Sequence, residues 1–141
     1  MAGIFAAVSI FGPVGNRFPE PRPVTLSFPL CISPGYAANC VVDGDTIRIG
    51  ERRIRLTGFD APEIDGACQR ESDLALAARD ALHRWLALGD FELDGGAEPP
   101  RDQYGRELRA ARRGEEYLAD VMIAAGLARD NGWGAGEADW C

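Results

Sequence analysis

The strongest constraint on the fold is a run of short, partly alternating apolar segments between residues 41 and 56. Val41-Val42, Thr46–Ile49 and Arg53–Leu56 are separated only by short stretches rich in Asp, Gly and Glu. Apolar alternation interrupted by such turn residues is typical of antiparallel hairpins. The sequence therefore predicts two or three strands joined by tight turns.

After this run the apolar period changes from that of a strand to that of a helix. Residues 71–88 place one apolar side chain on the same face every three or four positions, at Leu74, Ala78, Leu82 and Trp85. The elements predicted next are a strand over 91–93, a loop over 95–102, a strand over 106–112 and a second helix over 116–128. Short antiparallel strands with helices at one side predict an α+β fold, a small five-stranded OB-type β-barrel with two or three packed helices.

The first thirty residues follow a different pattern. Residues 3–14 are mostly apolar, which is long enough for the core of an export signal but short for a transmembrane helix. Five prolines between residues 13 and 30 predict an extended linker. We therefore expect residues 1–30 to be an apolar segment with a Pro-rich linker and residues 31–141 to form the folded domain. An export signal, a short membrane anchor and a disordered tail all remain open for the apolar segment.

The four cysteines, Cys31, Cys40, Cys68 and Cys141, are scattered, and His83 is the only histidine. Without a Cys-x-x-Cys pair or further histidines, a zinc site is disfavoured. An even number of scattered cysteines fits two disulfides and an oxidising compartment. Three pairings are possible, of which Cys31–Cys40 with Cys68–Cys141 is preferred, and four unpaired thiols are the alternative. With the apolar segment, this pattern favours a secreted or periplasmic protein, with a membrane-anchored form as a further option.

The net charge of −7 argues against a broad basic groove for nucleic acid, because counterion-release binding requires many cations. All fifteen cationic residues are arginines. A compact phosphate site whose positive charge comes from two arginines and a metal ion is still compatible with this composition.

Three carboxylates and two arginines are candidates for such a site. Asp45 follows an Asp-Gly pair, and Asp60 and Glu63 flank a proline. Arg55 lies on the strand that leads to Asp60, and Arg106 opens a later strand. Each feature alone is more often a turn or a solvated face. Together, carboxylates that hold a hard cation and guanidinium groups that match phosphate oxygens favour hydrolysis of a phosphodiester.

Four segments resemble the signature segments of the staphylococcal nuclease (thermonuclease) family, in the same order. They are V-V-D-G-D-T at 41–46, R-L-T-G-F-D-A-P-E at 55–63, D-Q-Y-G-R at 102–106 and G-L-A-R at 126–129, and the likeness spans about residues 38–130. The resemblance implies an OB barrel and a calcium-dependent endonuclease. Such an enzyme cleaves DNA and RNA, preferably single-stranded, and leaves 3′-phosphate ends. We expect a monomer without an obligate protein partner.

The resemblance also implies a role for each matching residue. The calcium ligands are expected to be Asp45, Asp60 and the backbone carbonyl of Ala61, the general base Glu63, the phosphate-binding arginines Arg55 and Arg106, and the residue beside the nucleotide phosphate Tyr104. The chain departs from the family where Gln103 replaces a lysine and where the stacking tyrosines after the second helix are missing. Trp133 is the expected replacement, because stacking on a base tolerates different aromatic rings.

Two alternatives to a nuclease stay open at this point. One is a non-catalytic nucleic-acid-binding OB-fold module whose acidic cluster is a relict. The other is a small disulfide-stabilised interaction domain without a nucleic-acid role. The first is disfavoured because a binding module would gain affinity for a polyanion by losing these carboxylates.

Overall fold

The computed structural model describes residues 23–32, 38–131 and 139–141. Within these ranges the predicted α+β class is confirmed, with eight strands and two helices. In chain order the elements are β1 (Pro23–Val24), β2 (Asn39–Asp43), β3 (Thr46–Ile49), β4 (Arg52–Leu56), α1 (Gln69–Ala87), β5 (Phe91–Leu93), β6 (Glu107–Arg109), β7 (Ala111–Arg113), β8 (Glu116–Tyr117) and α2 (Leu118–Ala124).

The described strands form two four-stranded sheets, and they do not close into one barrel of five strands. One sheet has the order β2-β3-β4-β6, with β6 parallel to β4 and the other pairs antiparallel. The second has the order β1-β5-β7-β8 and is antiparallel throughout. The hairpins predicted over 41–56 are therefore confirmed as the β2-β3-β4 meander.

A single residue separates β6 from β7, although the sequence predicts one strand over 106–112. At Ala110 the chain leaves the first sheet and joins the second. Asp94 fixes the crossing, since its N–H donates to the Ala110 carbonyl at 3.0 Å and its carboxylate accepts the Ala110 N–H at 2.6 Å. Two successive alanines, Ala110 and Ala111, interrupt the apolar alternation here, but residues this small are too weak a signal to predict the division.

At Gly44, the turn between β2 and β3 packs closely against helix α1 and the loop that follows β4. A Cβ atom at this position would lie 2.7 Å from the Cβ of Ala78 on α1 and 2.9 Å from the Cβ of Ala61. Only glycine permits this approach, because real Cβ atoms do not come so close. The close contact holds the neighbouring Asp45 beside the loop that follows β4.

The core lies between the sheets and the inner face of α1. Leu82 and Trp85 are buried there, as the helical period predicts, whereas Leu74 is only half-buried. His83, the only histidine of the sequence, is half-buried on the same helix. Helix α2 is shorter than predicted, because residues 116–117 pair with β7 as β8 and Gly126, with a φ of 74°, follows the helix end.

Part of the predicted linker lies against the domain. Strand β1 pairs with β5, Phe28 is buried in the core, and Leu30 forms a β-bridge with Val41. Of the described helices, none has the length and apolar character needed to cross a membrane. The predicted export or anchor segment over 3–14 lies outside the described residues.

Candidate active site

Six of the eight predicted site residues line one open cavity of about 620 Å³. The cavity lies between the β2–β3 turn, the loop after β4, the start of α1 and the segment 139–141. The predicted residues in its wall are Asp45, Arg55, Asp60, Ala61, Glu63 and Arg106, and the others are Asp43, Ala67, Glu71, Asp139, Trp140 and Cys141. Residues that are far apart in the sequence thus meet in one place, and the described part of the wall has six carboxylates and two guanidinium groups.

Arg55 connects the two predicted metal-binding aspartates. Its Nη2 lies 2.8 Å from Oδ1 of Asp60 and 3.4 Å from Oδ2 of Asp45. The same guanidinium donates to the carbonyls of Leu56 and Phe59. The side chain is only 14% exposed, so its position is well defined by these partners. Period-2 alternation along β4 places it on the face opposite the buried Ile54 and Leu56.

Asp45 is a buried carboxylate with few compensating charges. Its Oδ1 accepts the hydroxyl of Thr46 at 3.0 Å, and its Oδ2 accepts the N–H of Ala61 at 3.4 Å. Burial raises the pKa of Asp45 to about 6, and the positive charge of Arg55 offsets this only in part. An additional cation beside such a buried carboxylate would stabilise its ionised form and lower its pKa.

Glu63 lies at the rim of the cavity, where its side chain is exposed. Loss of part of its hydration against the cavity wall raises the pKa of Glu63, and the negative charges of Asp45 and Glu71 raise it further. A raised pKa is expected for a carboxylate that takes a proton from water near neutral pH.

Glu71, which sequence reasoning missed, fixes the backbone of the Glu63 loop. Its two carboxylate oxygens accept the N–H groups of Glu63 and Ala67, each at 3.0 Å. The loop passes so close that a Cβ atom at Gly66 would lie 2.6 Å from the Glu71 side chain. Glutamate is common in a first helical turn, so the sequence carries no signal that this one is buried and aimed back at a loop.

Arg106 reaches the cavity from the start of β6. Its Nε donates to Oδ2 of Asp102 at 2.7 Å, and its Nη1 lies 3.5 Å from the hydroxyl of Thr46. Because β6 is parallel to β4, its first residues lie beside Arg55 and the β2–β3 turn. Tyr104 is not in the cavity wall; it is 62% exposed, and its ring centroid is 5.5 Å from Cζ of Arg106.

The possible metal ligands in the cavity are of the chemical type that calcium prefers. Asp45, Asp60 and the Ala61 carbonyl offer only oxygen atoms, which hard cations prefer. Among the described residues, no three His, Cys, Asp or Glu side chains already form a metal-binding group.

The segment 139–141 forms one wall of the cavity. The predicted pairs Cys31–Cys40 and Cys68–Cys141 are both present as disulfides. The second ties Cys141 to the residue that precedes α1. Trp140, which the sequence did not single out, thereby reaches the site, whereas Trp133, the predicted stacking residue, lies outside the described residues.

Sequence comparison identifies no family for this chain. No family model matches the sequence, and no curated protein is significantly similar to it. The assignment of a function therefore depends on the motifs and on the geometry of the cavity.

Proposed function

We propose that this protein is a calcium-dependent endonuclease that hydrolyses phosphodiester bonds of single-stranded or denatured DNA and RNA and leaves 3′-phosphate ends. One observation carries the proposal: the carboxylates Asp45, Asp60 and Glu63 share a single cavity with Arg55 and Arg106. These residues come from separate segments, and each segment resembles one nuclease motif. A module that only binds nucleic acid has no use for six carboxylates around the phosphate position.

In the proposed reaction the two arginines bind the scissile phosphate. Their guanidinium forks stabilise the negative charge that builds up on the equatorial oxygens, a role worth about 10³–10⁵ in rate in related phosphoryl transfers. Asp45, Asp60 and the Ala61 carbonyl would hold calcium, which supplies Lewis-acid polarisation of a phosphate oxygen.

Glu63 orients and deprotonates the attacking water. Its exposed position at the rim gives water access, and the bonds from the Glu63 and Ala67 N–H groups to Glu71 hold its loop in place. Water attacks phosphorus opposite the departing 5′-oxygen, the P–O5′ bond breaks, and the phosphate remains on the 3′-oxygen. The 5′-oxygen takes up a proton from solvent water to become a hydroxyl, and Glu63 returns the proton of the attacking water to solvent. General base catalysis of this kind is worth about 10²–10⁴ in rate.

We further propose that the two sheets are the halves of an OB-type barrel in a secreted or periplasmic monomer. The passage of one chain segment through both sheets at Ala110 supports the barrel, since strands of small barrels and sandwiches switch sheets in this way. The two disulfides support an oxidising compartment.

The activity is tested with heat-denatured DNA incubated with the protein in calcium and, separately, in excess chelator. We expect fragments only with calcium, and we expect their ends to block polymerase extension until a 3′-phosphatase is added. A protein that binds the DNA but leaves it intact in calcium would instead be a binding module.

The Glu63→Gln variant is the control for a contaminating nuclease. Glutamine keeps the size of the side chain but cannot take a proton, so kcat should fall by about 10²–10⁴ while the unfolding midpoint stays unchanged. A variant as fast as the wild type removes Glu63 from the role of base.

A further inference from the structure

Trp140 lies between two cavities, and only one of them contains the proposed catalytic residues. Besides the wall of the catalytic cavity, Asp139, Trp140 and Cys141 form part of a second cavity of about 350 Å³. The second cavity is also lined by Arg70 and Leu74 of α1 and by Gly126 and Arg129. We propose that the two cavities form one continuous binding site for a single nucleic-acid strand, in which Trp140 stacks on an unpaired base and Arg70 with Arg129 receive the flanking phosphate.

The position of Trp140 is fixed from two sides. The neighbouring Cys141 is covalently bound to Cys68. Cζ of Arg129 lies 4.9 Å from the centroid of the indole ring, and Nη2 of the same arginine donates to the Asp139 carbonyl at 3.1 Å. An aromatic ring that is already held in place loses little conformational entropy when a base stacks on it.

Arg129 also connects the indole to the catalytic residues. Its backbone forms a β-bridge with Asp60, with N–O distances of 2.8 and 2.9 Å in the two directions. The segment that carries the second cavity is thus hydrogen-bonded directly to a proposed metal ligand. A strand bound at Arg55 and Arg106 would pass Trp140 on its way to the second cavity.

The two cavities differ in charge, and this difference favours a strand that extends from the catalytic cavity into the second one. The catalytic cavity has six carboxylates against two arginines, so a polyanion gains little attraction there. Among the described residues that line it, the second cavity has two arginines, Arg70 and Arg129, and one acidic side chain, Asp139. Base stacking on Trp140 and a contact to the flanking phosphate would together offset the repulsion between the strand and the carboxylates of the catalytic cavity. Stacking of this kind requires unpaired bases. This inference rests on the proposed function, and it makes single strands of more than one nucleotide the preferred substrate.

The first test compares steady-state cleavage of a thymidine pentanucleotide by the wild type, Trp140→Ala and Trp140→Phe. We expect the alanine variant to raise KM by about tenfold to a hundredfold with kcat nearly unchanged, since one base stack is lost, and the phenylalanine variant to restore most of the affinity. An unchanged KM in Trp140→Ala would overturn the proposal while the nuclease assignment stands.

The second test addresses the flanking phosphate with Arg70→Gln, and Arg84→Gln is its matched control. Both arginines are exposed on α1 and both changes remove one positive charge, but Arg84 is not in either cavity wall. We expect Arg70→Gln to raise KM for the pentanucleotide severalfold without affecting cleavage of a dinucleotide. Equal effects of the two variants would show a general charge effect and would refute the second subsite.

Binding separates failure of this inference from failure of the proposed function. The anisotropy of a fluorescein-labelled thymidine pentanucleotide is titrated with Glu63→Gln protein and with the Glu63→Gln/Trp140→Ala double variant. A loss of affinity in the double variant supports the strand site even if the wild type cleaves nothing. Equal affinities refute the strand site even if the wild type cleaves.

Discussion

At the scale of single residues, the two arginines of the cavity make the sharpest prediction. Arg55→Lys and Arg106→Lys keep the charge, but an ammonium group cannot form the paired hydrogen bonds of a guanidinium fork. We expect each variant to lose about 10³-fold or more in kcat/KM on denatured DNA.

Arg112→Lys serves as the matched control for these variants. Arg112 pairs with Glu92 in the second sheet and is not in the cavity wall, so this change should leave cleavage near the wild-type rate. Activity within tenfold of the wild type in either cavity variant would remove that arginine from transition-state binding.

The sequence motifs predicted half of the described cavity wall, and several buried residues were missed. Asp45, Arg55 and Glu63 were found because they belong to recognisable motifs. Glu71 and Glu107 are both buried, yet neither stands out in the sequence, because burial of a glutamate depends on partners that only the folded chain supplies. Trp140 was missed because no motif marks it; the Cys68–Cys141 disulfide and the contact with Arg129 hold it in the cavity wall.

At the scale of elements, one carboxylate secures the parallel contact between β4 and β6. Glu107 is 2% exposed and accepts two hydrogen bonds from Arg52, at 2.8 and 3.0 Å, and one from Arg109 at 2.8 Å. The hydrogen bonds from Arg52 and then Arg109 lower the pKa of Glu107 from 4.5 to about 2. These three charge-assisted bonds therefore contribute their full stabilisation only while Glu107 is ionised.

The lowered pKa of Glu107 predicts an acid-dependent loss of stability. Because the folded-state pKa lies below the unfolded one, the contribution is complete above pH 4.5 and is lost as the pH falls towards 2. We expect it to be roughly 2 kcal/mol, since Arg52 is half exposed and its charge is screened. The free energy of unfolding from urea titrations between pH 2 and 7 measures it.

Glu107→Gln provides the comparison for this prediction. The difference in unfolding free energy between the wild type and the variant should shrink as the pH falls through this range, because the other carboxylates titrate alike in both proteins. A difference that does not change with pH would mean that Glu107 gains nothing from its charge. Arg52→Gln, at an exposed position, repeats the test if the first variant does not fold.

The strands and helices that have a clear local apolar pattern were predicted from the sequence. Hairpin strands show their alternation and α1 shows its apolar face, so β2, β3, β4 and α1 were found within about two residues. The division at Ala110 and the early end of α2 were not, because both depend on pairing with distant strands. The division of the strands into two sheets is likewise set by long-range contacts, which the apolar period does not report.

At the scale of the whole molecule, the two disulfides differ in how much chain they close. Cys68–Cys141 spans 73 residues and Cys31–Cys40 spans nine. Loop-closure entropy predicts that the long bridge stabilises by about 4 kcal/mol and the short one by about 2.5 kcal/mol. Denaturant unfolding of the Cys68→Ser/Cys141→Ser and Cys31→Ser/Cys40→Ser variants tests this order.

The long bridge has a second expected effect, on substrate binding rather than on stability. Loss of Cys68–Cys141 should raise KM for single strands, because Trp140 loses its covalent support and keeps only the contact with Arg129, whereas loss of Cys31–Cys40 should not. Equal KM values in the two double variants would contradict a role for the long bridge in the cavity wall.

The crossing at Ala110 has a consequence for how the molecule opens. Arg109 pairs with a strand of one sheet and Ala111 with a strand of the other, so only one residue, Ala110, connects the two paired positions. Neither sheet can separate from its neighbours without pulling on the other. Amide protons of β6 and β7 should therefore exchange with solvent deuterium at similar rates, through one cooperative opening of the whole β structure.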